Sequence, residues 1–172
     1  MMDLHLRVIE KRLTENTEVK LVDHWNNQVQ YAEQERQLYP AAYIDFGTVT
    51  WTRLTSSVKQ AQAVITVHCV SKNTRETHHK AEDKDGKRLV RFDWAGKVME
   101  ALDGFSANDK DGNLIIKSMQ LAGSAMDTNH EALSDDVVIF SCFIYYMDRW
   151  KGKDTEALIA SVATDRVDEF PA

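Results

Sequence analysis

The sequence predicts an α+β fold, in which two helices pack on one face of an antiparallel sheet of four or more strands. Two observations support this prediction. Apolar residues recur at helical spacing near the start of the chain and again after its middle, and other segments alternate between apolar and polar residues with a period of two. Strands that follow one another along a chain favour antiparallel pairing, which leaves both helices on the same side of the sheet.

The first half of the chain contains one predicted helix and three predicted strands. Apolar residues three and four positions apart predict the helix at residues 3–14. Alternation and β-branched residues predict strands at residues 41–46, 48–55 and 62–70, of which the last has the clearest pattern. Residues 18–39 are largely polar, so we expect an exposed connection there, with a short strand near its start.

The second half contains the other helix and the most apolar strand. We expect a charged loop at residues 71–88, then a helix at residues 89–102 that stops before Gly104. Strands are predicted at residues 114–120 and 136–147, with a polar connection between them. The last strand is apolar at almost every position, which is typical of a central strand. We therefore expect helices to cover one of its sides and a partner to cover the other.

Composition places the chain among ordinary globular proteins. It has 172 residues, of which 43% are hydrophobic and 28% charged, so one core can stabilise it. We expect residues 1–150 to form a single domain and residues 151–172 to be a C-terminal extension. The net charge of −6 argues against sequence-specific nucleic-acid binding, because such proteins carry a basic excess. We expect no membrane association, since no apolar run approaches the roughly 20 residues of a spanning helix and the N-terminal residues are too charged for a secretory signal.

Two cysteines, Cys69 and Cys142, both lie in apolar, strand-like runs. Buried free thiols in a reducing cytoplasm explain this placement better than a disulfide does. Neither cysteine belongs to a CxxC pair, so neither indicates a metal or redox site.

Two kinds of metal site are suggested by the sequence and both fail on spacing. Adjacent His78 and His79, near Glu82 and Asp83, lack the spacing of zinc ligands. The segments 83–86 and 109–112 resemble the middle of a calcium loop, but alanine stands where each loop needs its first oxygen ligand. We predict no metal and no other cofactor, and we interpret both segments as Asp-Gly turns.

One acidic cluster offers a catalytic alternative. A histidine flanked by carboxylates can perform acid–base chemistry, and the chain has such a group in Asp127, His130, Glu131, Asp135 and Asp136. No nucleophile motif and no nucleotide-binding motif accompanies it. Acidic residues also protect the start of an apolar strand from aggregation, which is the simpler interpretation. We predict no catalytic residue, and a small hydrolase remains the alternative.

Subunit contacts are the function that the remaining polar and aromatic residues suggest. Trp25 and Trp150 lie in polar surroundings, where a tryptophan is either an interface anchor or partly buried against its own domain. The charged loop has both signs of charge, which suits specific contacts between subunits. The candidate interface residues are Trp25, Arg75, His78, His79, Lys80, Glu82, Asp83 and Trp150.

Four segments together resemble the tail-terminator, or tail-completion, proteins of long-tailed bacteriophages and prophages. They are PAAYIDF at residues 40–46, AVITVHCV at 63–70, ALDGF at 101–105 and DDVVIFSCFIYY at 135–146, and the resemblance covers about residues 1–148. It implies a ring, usually hexameric, that caps the tail tube, stops its growth and presents a surface for head attachment. The implied partners are other copies of the chain, the tail-tube protein and a head–tail connector protein.

The resemblance also implies where the protein acts and what it lacks. A tail terminator is assembled in the host cytoplasm, becomes part of the virion tail, and has no enzyme activity or cofactor. A ring subunit needs two different surfaces that meet head to tail, and the charged loop is our candidate for one of them. Another phage head–tail joining or binding module of the same fold class is the remaining alternative.

Overall fold

The structure, a computed structural model, describes residues 2–26, 38–72, 90–126 and 133–147, and only the backbone at residues 90–92. These residues form two helices and seven strands. In chain order the elements are α1 (Asp3–Asn16), β1 (Leu21–His24), β2 (Ala41–Asp45), β3 (Thr52–Arg53), β4 (Val58–Lys72), α2 (Val90–Leu102), β5 (Ala107–Asn108), β6 (Leu114–Ala125) and β7 (Leu133–Met147). The predicted α+β class is confirmed.

The strands form one mixed sheet in the order β1-β2-β4-β7-β6-β5, with β3 paired to one end of β4. All pairs are antiparallel except β1 with β2, which is parallel. The prediction of an antiparallel sheet is therefore wrong at this one edge. Residues 25–40 separate β1 from β2, and this is enough chain for the return that a parallel pair needs.

Strands β4 and β7 form the centre of the sheet. They pair without a break over their whole length, from Val58 opposite Met147 to Lys72 opposite Leu133. Alternate residues of a strand point to the same face of the sheet. In both strands most of the residues that face the helices are apolar and buried. These core residues are Ala61, Ala63, Ile65, Val67 and Cys69 on β4 and Val138, Phe140, Cys142 and Ile144 on β7.

Both helices pack against this side of the sheet, as predicted. Ile9 and Leu13 of α1 and Trp94 and Leu102 of α2 are buried in the same core. The Trp94 indole N–H donates a hydrogen bond to the Ala41 carbonyl at 3.3 Å, which fixes α2 over the β2 side of the sheet. Because the indole donor is satisfied, this tryptophan is buried without cost to its polar atom.

An arginine joins the two helices at one end of the layer. Arg12 Nε donates to the Ala101 carbonyl at 2.8 Å, and its guanidinium lies 5.5 Å from the centre of the Phe105 ring. A cation near the last carbonyls of a helix is favourable, since that end bears partial negative charge. Neither described helix is both long enough and apolar enough to span a membrane.

Several predicted boundaries are wrong for tertiary reasons. Strand β4 spans Val58–Lys72 rather than residues 62–70, and β7 begins at Leu133 rather than at residue 136, because the two strands pair over these additional residues. The first two residues of the predicted loop 71–88 therefore belong to β4.

Two further segments near the sheet also differ from the prediction. Only Thr52–Arg53 of the predicted strand 48–55 pairs with a neighbour, whereas Val49 and Trp51 pack against the core from a segment outside the sheet. Strand β6 continues past residue 120 to Ala125, through part of the predicted polar connection, because it pairs with β7 as far as Val137. Pairing with a distant strand overrides the weak strand preference of these small residues.

Candidate functional site

The candidate site lies on the sheet face opposite the two helices, here called the open face. No helix covers this face within the described part of the chain. Even-numbered residues of β4 from Val58 to Val70 and odd-numbered residues of β7 from Leu133 to Tyr145 point towards it. The open face therefore presents a row of side chains from each of the two longest strands.

Side chains from neighbouring segments cover the two ends of the open face. At one end Ala41, Tyr43 and Val70 are buried beneath partly buried apolar residues that include Trp25 and Leu133. At the other end Val58 and Tyr145 are buried with Leu114 and Met147 packed against them. These two small clusters leave the middle of the open face uncovered within the described residues.

The uncovered middle contains an apolar group, which we call the central patch: Val64 of β4 with Ile139 and Phe143 of β7. Val64 is 53% exposed and Phe143 41%, whereas Ile139 is half-buried. Four polar, uncharged residues adjoin them, namely Gln62, Thr66, Gln120 and Ser141, and the charged Lys117 lies directly opposite Phe143. Large exposed apolar side chains with a polar rim are typical of a protein–protein contact surface.

A histidine–aspartate pair lies beside the central patch. His68 Nδ1 is 3.0 Å from each carboxylate oxygen of Asp135, and both side chains are largely buried. An ionised carboxylate only accepts hydrogen bonds, so Nδ1 bears the proton that is donated. The pair bridges the two central strands on the diagonal, since the residues directly opposite are Val137 and Val70 respectively.

Trp25 covers this pair. Its ring lies parallel to the His68 ring, with 3.6 Å between centroids and 1° between planes, and its edge meets Tyr43 at 6.1 Å. The stacking of Trp25 on His68 holds the chain that follows β1 against the open face. Of the two interpretations of Trp25 that the sequence left open, the structure shows the partial burial, and a role in subunit contacts stays a prediction. The other candidate interface residues lie outside the described residues: Arg75, His78, His79, Lys80, Glu82, Asp83 and Trp150.

The acidic cluster does not converge where the structure describes it. Asp135 and Asp136 are consecutive in β7, so Asp135 points to the open face and Asp136 to the helix side. Asp136 is 3% exposed and lines an apolar cleft of about 220 Å³ between the ends of β6 and β7 and helix α2. Asp127, His130 and Glu131 lie outside the described residues.

The cysteines have the chemistry of structural thiols. Both are free and buried, as predicted. Burial raises the pKa of Cys142 to about 11, and burial followed by the charges of Asp136 and Asp135 raises the pKa of Cys69 well above its usual value. The protonated thiol is a poor nucleophile and metal ligand. Within the described residues, no group of three or more His, Cys, Asp or Glu side chains is placed to hold a metal ion.

The sequence contained part of the signal for this surface. The apolar run of β7 predicted that both of its faces are in contact with something, but not which residues face away from the helices. The alternation of β4 places Val64 on the face opposite Ala63 and Ile65, and this is confirmed, but the pattern does not show that Val64 is exposed. The His68–Asp135 pair depends on the register of two strands that are 67 residues apart.

Comparison with known proteins adds no relative: no protein-family model and no curated protein matches the chain.

Proposed function

We propose that this protein is a structural subunit of a phage tail, a terminator that forms a ring on the end of the tail tube and stops its growth. The observation that supports the proposal is the central patch, with Val64 53% and Phe143 41% exposed on the two central strands. The motifs that resemble tail terminators include the two strands that present this patch. Its expected partners are copies of the same chain, the tail-tube protein and the head–tail connector.

The central patch has the physical properties of an assembly surface. It lies on strands whose fifteen residue pairs form an unbroken ladder, so we expect its backbone to change little on binding. Its nearest polar neighbours on the two central strands, Gln62, Thr66 and Ser141, are uncharged, so a partner can cover them without the large desolvation penalty of a buried charge. Covering Val64 and Phe143 removes apolar area from water, at about 25 cal/mol for each Å².

A ring subunit also needs surfaces that meet other subunits head to tail. The charged loop expected at residues 71–88 is the candidate for that role, although Ser71 and Lys72 belong to β4 and residues 73–88 lie outside the described residues. Its mixture of positive and negative charges suits specificity more than affinity. The open face and the charged loop would then serve different contacts of the same subunit.

The test is to add the purified protein to the tail-tube protein of the same genome while the tubes polymerise. We expect shorter tubes with a ring at one end in electron micrographs, and we expect Phe143→Asp to abolish the effect. Leu121→Asp is the matched control, because Leu121 is also exposed, at 42%, but lies on the helix side opposite Phe140. Tubes of unchanged length without rings at any ratio of the two proteins would contradict the proposal.

A further inference from the structure

We infer that the open faces of two copies pack against each other around a two-fold axis that passes between Val64 and Ser141. The inference rests on the proposed function only in taking the central patch as a contact surface. It goes further by naming the occupant, a second copy of this chain, and the arrangement of the two sheets. The argument comes from two charged residues at opposite corners of the patch.

The strand register fixes where these charges lie. Asp45 of β2 is opposite Thr66, which is opposite Ile139. Lys117 of β6 is opposite Phe143. Measured along the sheet, the two charges are separated by three strand spacings, about 14 Å, in the direction across the strands. In the direction along the strands they are separated by four residues, again about 14 Å.

The pattern is self-complementary under one particular symmetry. A two-fold axis in the plane of the contact, perpendicular to the line from Asp45 to Lys117, places each Asp45 over the Lys117 of the other copy. The midpoint of that line falls between Val64 and Ser141, so the two Val64 side chains meet near the axis. A two-fold axis parallel to the strands would instead place Asp45 over Gly123 of the other copy. Gly123 lies straight across the sheet from Asp45, in line with Thr66 and Ile139.

This symmetry also determines how the sheets cross. The line between the charges runs at about 45° to the strands, so the strands of the two copies cross at about 90°. Packing near 90° is one of the two arrangements that pairs of sheets adopt. The inference thus gives an orientation as well as a partner.

The local environment of both charges suits an intermolecular pair. Asp45 is half-buried and accepts the Gly47 N–H at 3.1 Å through one oxygen, and its other oxygen can accept a second bond. Lys117 is exposed and has no acidic partner among the described residues. Asp23, which pairs with Tyr43 on the same face, adds negative charge on the Asp45 side. The charges set the register of the contact, whereas Val64 and Phe143 contribute the buried apolar area.

The experiment measures self-association by analytical ultracentrifugation with charge reversals. We expect the wild type to form a dimer, and Asp45→Lys and Lys117→Asp each to weaken it about tenfold or more, because each places two like-charged pairs in the contact. The double variant restores both pairs and should dimerise within about threefold of the wild type. An equal mixture of the two single variants should form mixed dimers, because that combination also has two opposite-charge pairs.

Two further variants complete the test. Val64→Lys places two positive charges near the axis and should abolish the dimer. Lys110→Asp reverses an exposed charge in the 109–112 turn between β5 and β6, outside the central patch, and should not change the dissociation constant. Circular dichroism checks that each variant is folded. A monomeric wild type at about 100 µM, or single reversals that leave the dissociation constant unchanged, would overturn the inference.

The result separates this inference from the proposed function. Tube capping that depends on Phe143, with no dimer and no charge effect, would leave the terminator role standing and remove the two-fold contact. A dimer that the single variants weaken and the double variant restores, in a protein that has no effect on tube growth, would support the two-fold contact and contradict the terminator role.

Discussion

His68 shows how the role of one residue depends on a distant part of the chain. The alternation that predicts a strand at residues 62–70 also predicts that His68 points away from the face of Ala63, Ile65 and Val67, and the structure has His68 on the open face. The same position gave no sign of Asp135 or of Trp25, because neither lies near it in sequence. His68 is therefore largely buried, although it lies on the open face, because Trp25 and Asp135 cover it.

Replacing His68 should therefore cost more than replacing an exposed histidine. His68→Phe keeps an aromatic ring beneath Trp25 but removes the donor to Asp135, and we expect a loss of about 1–3 kcal/mol in the free energy of unfolding. The control is Thr52→Phe on the exposed strand β3, with an expected change within about 0.5 kcal/mol. Urea denaturation measures both, and equal losses would contradict the hydrogen-bonded role of His68.

The thiol of Cys142 makes stability depend on pH in the alkaline range. Its pKa is raised from 9.0 in the unfolded chain to about 11 in the folded protein by burial. The unfolded state therefore releases this proton first as pH rises, so the stabilising contribution is complete below pH 9 and is lost between about pH 9 and 11. Two units correspond to about 3 kcal/mol at most.

Cys142→Ala isolates this contribution. We expect the fall in unfolding free energy between pH 9 and 11 to be shallower in the variant by up to about 1.4 kcal/mol per pH unit. Denaturant titrations at several pH values measure the slope for both proteins. Parallel slopes would show that the thiol ionises equally easily in the folded and unfolded states.

At the scale of elements, local patterns predicted the structure wherever one element buries a continuous stripe. Helix α1 and helix α2 were predicted within two residues at each end, because helical periodicity is contained in the segment itself. The two-residue strand β5 and the parallel pairing of β1 were not predicted, since both depend on contacts with strands elsewhere in the chain. The central patch was missed for the same reason: exposure depends on which face the helices occupy.

Strand β6 contains an unusual backbone position at Ser118. Its φ of +43° lies in the left-handed region, at an irregularity in the pairing with β7, and its N–H donates to Ser106 Oγ at 2.8 Å. A β-branched residue is strained at such a φ, whereas glycine is not.

Substitutions at this position should follow backbone strain rather than strand propensity. We expect Ser118→Val to destabilise the protein by about 1–3 kcal/mol and Ser118→Gly to be close to neutral. Ser124→Val is the control, because Ser124 is exposed in the same strand and has an ordinary φ, so a β-branched residue is tolerated there. Thermal unfolding compares the three, and a neutral Ser118→Val would contradict the strain.

For the whole molecule, the sheet divides β4 into a face that stabilises the fold and a face that is free for contacts. Val64→Thr and Val67→Thr make the same chemical change three residues apart, on opposite faces of the sheet. We expect Val67→Thr, fully buried, to cost about 1–3 kcal/mol, because its hydroxyl is buried in an apolar core. Val64→Thr should stay within about 0.5 kcal/mol.

The same pair of variants should separate stability from self-association. Val64→Thr should weaken the dimer but leave the melting temperature of the monomer, measured below the dissociation constant of the dimer, unchanged, whereas Val67→Thr should lower it. Differential scanning calorimetry and sedimentation measure the two properties independently. A large loss of stability in Val64→Thr would show that the open face belongs to the core of the single subunit.

The ladder between β4 and β7 has a consequence for how the chain reaches its native state. Val58 and Met147 face each other although 89 positions separate them, so the centre of the sheet cannot close before β7 has been synthesised. Until then Ile65 and Val67 lack their native neighbours, Phe140 and Val138, on the β7 side. Such long-range pairing slows folding, and it makes the central ladder dependent on a strand that is synthesised long after its partner.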